Sequence, residues 1–353
     1  MKDRIYICLV RFSALALALA LSAWLSPPVG LLPLENRAPA AFSLADPDAF
    51  FFDRLPFRHE LLLLCRNTEL ALGKNEYAGA FRGKNGYLFS NEQTDVQILR
   101  RNLDALADFA ARCDAPVYTA LVPSKTDALL SCLPRFYDAG RTPLWDAAET
   151  AEHSVDLLPL LRGRGGEGKA VYYRGDHHLT SLGAYYVYRA LAAPLGFAAA
   201  GASDFSVSVV CGGFSGSDAR KLLTATDDSI ALFRYAGDSR FAVRTDGKTQ
   251  SGLYNFDALG TTDPYGIFPG YGAGLCEISS DTETVRPRLL LLCDSYGCAL
   301  APLLARHFDL TLLDLRYAQA SAALTNEKKY AAVLCFYGMD TLAAHEILYR
   351  LNV

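Results

Sequence analysis

Three apolar runs toward the carboxyl end constrain the fold more than any other feature of the chain. Residues 289–293 read Leu-Leu-Leu-Leu-Cys, residues 310–314 Leu-Thr-Leu-Leu-Asp and residues 331–337 Ala-Ala-Val-Leu-Cys-Phe-Tyr. A strand with one face in water alternates apolar and polar side chains. A run that is apolar throughout is buried on both faces, as in the middle of a parallel sheet. The intervening stretches 299–308 and 317–327 read as helices, and 341–351 reads as a closing helix.

The same alternation begins upstream. Val96, Leu99, Leu103, Leu106 and Phe109 recur three and four apart, which predicts an amphipathic helix within 94–113. Residues 116–123 read as a buried strand, 144–151 as a helix, and 181–195 as a helix in which Tyr185, Tyr186 and Tyr188 pack. Residues 59–72 also carry a helical pattern, and Asn85-Gly86 marks a turn into a strand. Helix and strand in alternation predict an α/β fold, a three-layer sandwich with a mostly parallel sheet. Residues 201–284 depart from it: Gly, Ser, Asp and Thr are dense, and only short strand-like pieces appear at 205–210 and 229–233. They read as a β- and loop-rich insertion, a wall for a substrate cleft.

The amino end signals export. Lys2, Arg4 and Arg11 accompany the apolar stretch 12–24, and Pro27-Pro28 follows. Counted from Ile5, the 20 residues through Trp24 are interrupted only by Arg11, near the length that spans a bilayer. A cleaved secretory signal and a retained membrane anchor fit this pattern equally, and either places the bulk of the chain outside the cytosol. The expected organisation is therefore a signal or anchor over 1–25, a linker and packing segment over 26–93, and an α/β domain over 94–353. Phe50, Phe51, Phe52 and Phe57 are expected to pack the linker onto that domain. A formal net charge of −4 and no useful Lys/Arg run argue against a nucleic-acid partner. The nine cysteines show no CxxC or Cys/His zinc spacing, and Cys293 and Cys335 lie in apolar runs as small buried hydrophobes.

Chemistry points to Tyr173-Arg174-Gly175-Asp176-His177-His178-Leu179-Thr180. In an extended strand Asp176 and His178 share one face and His177 takes the other. An Asp beside a His supplies the orienting carboxylate and the base of a nucleophilic triad. The expected nucleophile is Ser295, because Asp294-Ser295-Tyr296-Gly297 follows a buried strand, and active groups in open α/β sheets collect beyond the carboxyl ends of strands. Gly297 permits a tight turn into the next helix. A serine at a helix start is commonly only an N-cap; the partnership with Asp176-x-His178 favours the nucleophile. His178 would take the Ser295 proton, Asp176 would orient His178, and the N–H groups of Ser295 and its helix-start neighbours would meet the oxyanion. Asp294 is expected to cap or else to support the site from behind, Tyr296 to stand beside the site, and Arg316 either to meet substrate or to pair with Asp314 or another acid. A metal held by Asp176, His177 and His178 is the competing reading. It lacks a second ligand cluster, since His59, His153, His307 and His345 fall in helical or linker contexts, so neither metal nor cofactor is expected.

Together these residues resemble the DHHW protein family, an SGNH-hydrolase-like family related to alginate O-acetyltransferases. The likeness takes in Glu35-Asn36-Arg37, Asp53 to Arg58, Gly83 to Phe89, Val122-Pro123-Ser124-Lys125, the Asp-His-His element, Asp294-Ser295-Tyr296 and Leu313 to Tyr317. The Asp-x-His precedes the Ser, the reverse of the usual SGNH order, as in that family. The resemblance implies a Ser–His–Asp site handling acetyl esters of extracellular polysaccharide, with a membrane-bound acyltransferase as the partner that supplies the acetyl group. It leaves three functions to separate: acyl transfer, simple acetyl-ester hydrolysis, and non-catalytic carbohydrate binding or assembly. Leu179 stands where the family name has Trp, an aromatic suited to stacking on a sugar. Phe268-Pro269-Gly270-Tyr271-Gly272 stands where relatives show Gly-Gly-Asn, and Cys293 and Gly297-Cys298 replace the more usual Lys and Ala-Asn.

Overall fold

The computed structural model describes residues 2–352 apart from 27–29, 31, 33–37, 136, 138–142, 149–150, 152, 282–284 and 325–328. Backbone contacts divide the chain into two compact units, residues 1–78 with 220–224, and residues 79–219 with 225–353.

In the first unit the amino-terminal apolar block is one helix, α1 (Lys2–Leu25). Its segment Arg4–Leu25 is 22 residues long, apolar and unburied, enough to cross a membrane, and fits a signal or an anchor. Two helices follow, α2 (Pro47–Asp53) and α3 (Arg58–Ala71), with the short strand β1 (Glu76–Tyr77). Within this unit Phe50 meets Trp24 and Phe42 with ring centroids 5.5 Å apart, and Phe57 is 77% exposed. Glu35-Asn36-Arg37 lies outside the described residues.

The second unit holds the remaining strands: β2 (Ala80–Arg82), β3 (Leu88–Ser90), β4 (Val117–Thr119), β5 (Ser206–Phe214), β6 (Asp228–Arg234), β7 (Phe241–Thr245), β8 (Lys248–Ser251), β9 (Leu275–Ser280), β10 (Arg288–Cys293), β11 (Asp309–Leu313) and β12 (Ala332–Phe336). Seven form one sheet in the order β4-β12-β10-β11-β9-β7-β8. The first four run parallel, while β9, β7 and β8 are joined antiparallel. The sheet is therefore mixed, which corrects the expectation of a mostly parallel one. Its antiparallel half comes out of the stretch read as an insertion. Its pattern explains why: Phe241, Val243, Cys276 and Ile278 are buried while the intervening residues are not, the period-two signature of strands covered on one face.

The parallel half is covered on both faces. Along β10, Leu289, Leu291 and Cys293 enter one apolar cluster and Leu290 and Leu292 the other. Two helices pack on the first face, α8 (Ser181–Leu191), whose Thr180 cap accepts the Gly183 N–H at 3.1 Å, and α10 (Tyr296–Leu304). The second face carries α4 (Val96–Ala110) through Leu99, Leu103 and Leu106, together with α11 (Met339–Ala344). The shorter helices are α5 (Lys125–Ala128), α6 (Pro143–Ala148), α7 (Leu158–Gly166) and α9 (Ser217–Lys221). Two expected helices are shorter than the sequence suggests. Among the described residues of 317–327 only Ala320–Ala322 makes a 3₁₀ turn. The closing helix stops at Ala344 and resumes as a separate 3₁₀ turn, Leu348–Asn352, because buried Asn102 accepts from the N–H groups of Ile347 and Leu348 and donates to Leu342 O and His345 O.

Candidate active site

The Asp-His-His element is a loop rather than a strand. Tyr172 bridges Leu179 antiparallel, and Tyr173 N donates to His178 O at 3.2 Å, so the residues between fold back on themselves. Side-chain alternation holds only for extended backbone, so His177 does not take the opposite face. Its ring lies 3.9 Å from that of His178, tilted by 35°, and its Nδ1 is 2.7 Å from Ser217 Oγ.

Asp176 and His178 are each 2% exposed. Oδ1 of Asp176 accepts from His178 N at 2.9 Å and from His178 Nδ1 at 2.5 Å, while Oδ2 accepts from Ser217 N at 2.7 Å. The carboxylate fits there only because residue 216 is glycine, since a Cβ on Gly216 would overlap it. Burial alone would raise the Asp176 carboxyl; the adjoining His178 and His177 imidazoles and the bonds from His178 instead hold it well below the usual carboxylate range.

Behind the loop, buried Lys125 donates from Nζ to Tyr173 O and Arg174 O at 3.2 Å, to Asp176 O at 2.8 Å, and to Asp218 Oδ2 at 2.6 Å. Ser90 Oγ donates to the other oxygen of Asp218 at 2.5 Å. Four oxygen acceptors thus surround a buried ammonium that would be costly to leave unpaired. The place of Lys125 in Val122-Pro123-Ser124-Lys125, bonded to the carbonyls of the Asp-His-His loop, depends on contacts distant in sequence.

On the other side stands the corner between β10 and α10. Ser295 occupies the N-cap position with helical backbone (φ −60°, ψ −18°), and its side chain makes no capping bond. The hydroxyl instead lies 2.7 Å from His178 Nε2. With Nδ1 facing a carboxylate, which only accepts, the Nδ1 proton stays there and leaves Nε2 as the acceptor for Ser295 Oγ–H. Asp294 takes over the cap: Oδ1 accepts Tyr296 N at 3.0 Å, and Oδ2 accepts Gly338 N at 3.0 Å, tying the corner to the segment beyond β12. Burial raises the Asp294 carboxyl above its ordinary value. Tyr296 donates its hydroxyl to His177 O at 2.9 Å. Gly297 is needed for close approach rather than for a turn, since a Cβ would sit 2.5 Å from Cys293 Sγ.

The expected set of oxyanion donors narrows. Gly297 N donates to Asp294 O and Cys298 N to Ser295 O, and Tyr296 N is taken by Asp294, which leaves the Ser295 N–H without an intramolecular partner among the described residues. Arg316 pairs with Asp314, Nε at 3.0 Å and Nη2 at 2.7 Å, which is the second of its two expected roles.

Sequence reasoning missed Tyr265. Its ring stacks on His178 at 3.9 Å with planes 13° apart, and its hydroxyl lies 3.4 Å from Ser295 O. It arrives there because β9 runs against β11, with Leu275 paired to Leu313. The loop that precedes β9 therefore meets the edge at which the parallel strands end. The spacing of Tyr265, Phe268 and Tyr271 was the available signal.

Leu179 is fully buried in the core, so its departure from Trp does not alter a sugar-facing surface. In 268–272, Tyr271 donates to Asp263 Oδ2 at 2.7 Å, and no amide side chain stands at this position. Asp176, His177 and His178 place ligand-type atoms within 4.8 Å of one another. Both His178 nitrogens, however, are engaged by Asp176 and Ser295.

A model of the DHHW protein family matches residues 157–313, and a model of the SGNH hydrolase-like domain, acetyltransferase AlgX, matches residues 81–211. Among solved structures, a DHHW family protein from Eubacterium siraeum DSM 15702 is 18% identical, with 78% of this chain and 96% of that one covered at a TM-score of 0.63. Bacillus cereus PatB1, solved with a sulfonyl adduct, is 19% identical, with 75% of this chain and 96% of that one covered at a TM-score of 0.62. At these identities the structural likeness establishes the fold. Comparison with curated proteins gives no match.

Proposed function

Starting from a chain that carries the DHHW family resemblance and an AlgX-type SGNH hydrolase-like domain, we propose that it is an extracytoplasmic O-acyltransferase. It moves an acetyl group to a hydroxyl of a cell-surface or exported glycan, with Ser295 as nucleophile, His178 as base and Asp176 as the orienting carboxylate. The observation that carries this reading is the 2.7 Å contact between Ser295 Oγ and His178 Nε2, made by a helix-start serine whose hydroxyl does not cap its helix. The AlgX acetyltransferase domain model supports acyl transfer as the reaction class.

Chemically, Ser295 Oγ attacks the acyl carbonyl as its proton passes to His178 Nε2. The tetrahedral oxygen meets the Ser295 N–H, and the leaving group departs with the proton held by His178. A glycan hydroxyl then gives its proton to His178 and attacks the acyl-Ser295 ester; the acyl–Oγ bond breaks and His178 returns the proton to Oγ, which frees the serine. Water in place of that hydroxyl would make the same site an esterase. The apolar α1 supports placement outside the cytosol, where a membrane-bound acyltransferase would be the acyl donor's source.

The test is turnover of an acetyl-phenol ester with and without a glycan acceptor, wild type against Ser295→Ala, with mass spectrometry for an acetyl adduct on Ser295. Because PatB1 has been solved with a sulfonyl adduct, a sulfonyl fluoride should label Ser295 and block acetyl release. Equal turnover by both proteins would sink the assignment; glycan binding without any turnover would turn the reading toward a binding module.

A further inference from the structure

We propose that the aromatic ring of Tyr265 sets the orientation and basicity of His178, stabilising the imidazolium form through its face. Tyr265 is thus a positioning residue that acts through the base. The consequence for turnover rests on the acyl-transfer reading above; the basicity itself does not.

The geometry is a clamp. The Tyr265 ring lies 3.9 Å from the His178 ring at 13°, and the His177 ring lies 3.9 Å from it at 35°. Two rings whose centroids both lie 3.9 Å from one imidazole cannot share one of its faces, so His178 is held between them. Both ring nitrogens are fixed in the plane by Asp176 and Ser295. Tyr296 at 5.4 Å and Tyr271 at 6.3 Å meet the imidazole at steep angles. Tyr265 is 1% exposed, so it cannot yield without unpacking the core.

The electrostatics follow from what each neighbour carries. The face of a phenol ring is electron-rich and attracts a cation stacked on it, whereas a neutral imidazole gains little. Burial raises the Tyr265 and Tyr296 phenols well above their ordinary values, so both remain neutral. His177 is pulled down to about 4, by desolvation and then by His178, although 43% of its side chain is exposed. An ordinary histidine would already be mostly neutral at pH 7. Tyr271, the remaining ring, engages Asp263 through its hydroxyl. Behind the loop Lys125 and Asp218 are paired with each other at 2.6 Å. Asp176 is therefore the charged group bonded directly to His178, and Tyr265 is the near-parallel ring whose removal leaves Asp176 untouched. The Tyr265 hydroxyl makes only a long contact of 3.4 Å with Ser295 O, so the ring rather than the hydroxyl carries the effect.

The experiment is an NMR titration of the His178 ring in the full chain, labelled at histidine and assigned with His178→Gln. In Tyr265→Leu the midpoint should fall by on the order of half to one pH unit, the range a stacked cation–π contact implies. In Tyr265→Phe it should stay where it is. The acid limb of kcat/KM should move down with the titration in Tyr265→Leu, kcat should fall several-fold and KM should hold, since the buried ring does not meet substrate. An unmoved midpoint in Tyr265→Leu, or an equal shift in Tyr265→Phe, overturns the proposal. Should Tyr265→Leu fail to fold, Tyr265→Trp keeps an aromatic face, and a midpoint lower than wild type there overturns it equally. The acyl-transfer reading fails separately: turnover that survives Ser295→Ala defeats it while the titration still decides the role of Tyr265.

Discussion

Two regions meet at the contact between Ser295 and His178, and they are built in opposite ways. The Asp-His-His loop around Asp176 has almost no regular structure, and polar groups hold it from behind: Lys125 on its carbonyls, Asp218 on Lys125, Ser90 on Asp218, and the Ser217 N–H on its carboxylate. The Ser295 corner is held by its elements. A strand buried on both faces runs straight into a helix, glycine permits the close approach, and Asp294 pins the turn to the segment beyond β12. The difference teaches where each is vulnerable: the loop should be sensitive to polar deletions in distant residues, the corner to added volume.

The largest effect expected separates chemistry from both scaffolds. Ser295→Ala and His178→Ala should each lower turnover by at least about 10³-fold, and Ser295→Ala should leave the denaturant midpoint close to wild type. A large loss of stability in Ser295→Ala would show that the contact is structural. Next comes the loop's anchor. Lys125→Met leaves Asp218 buried without its cation and should cost about 3–5 kcal/mol in urea unfolding. Replacing both partners by apolar residues should recover part of that loss, and no recovery would mean that the bonds to the loop carbonyls dominate. At the corner, Gly297→Ala should cost about 1–3 kcal/mol by overpacking against Cys293; a neutral result would show that the corner relaxes as readily as a loop.

The smallest effect near neutral pH concerns acid. The Asp176 carboxyl is depressed in the folded state. Its contribution to stability is therefore fully present above the unfolded aspartate value, about 3.9, and is lost as pH falls through the folded value. Asp176→Asn should flatten the acid side of the stability profile below about pH 4 relative to wild type. An unchanged slope would place the acid sensitivity elsewhere.

Much of the α/β core was legible from residue pattern. The runs that became β10, β11 and β12 need burial on both faces, and few folds provide it. The antiparallel half was misread because its strands bury only alternate residues and are set among Gly, Ser and Thr, so no continuous apolar run marks them. The pairing of Asp176 with His178 was expected for the wrong local reason, an extended strand, and arises instead from a fold-back in which the carboxylate caps its own loop. Tyr265 left no trace beyond an aromatic spacing.

Residue order by itself determined the apolar amino-terminal helix, the buried strands, and the chemical kinds present: one Asp-x-His and one serine at a strand's end. Periodicity and composition act over a few residues and can be read locally. Tertiary structure alone decided that Ser295 leaves the capping of its helix to Asp294 and meets His178, that Lys125 binds the carbonyls of the Asp-His-His loop, and that a tyrosine from the loop before β9 covers the imidazole. Each of these depends on strand direction and on contacts between residues dozens to more than a hundred positions apart, and no local pattern encodes such a distance.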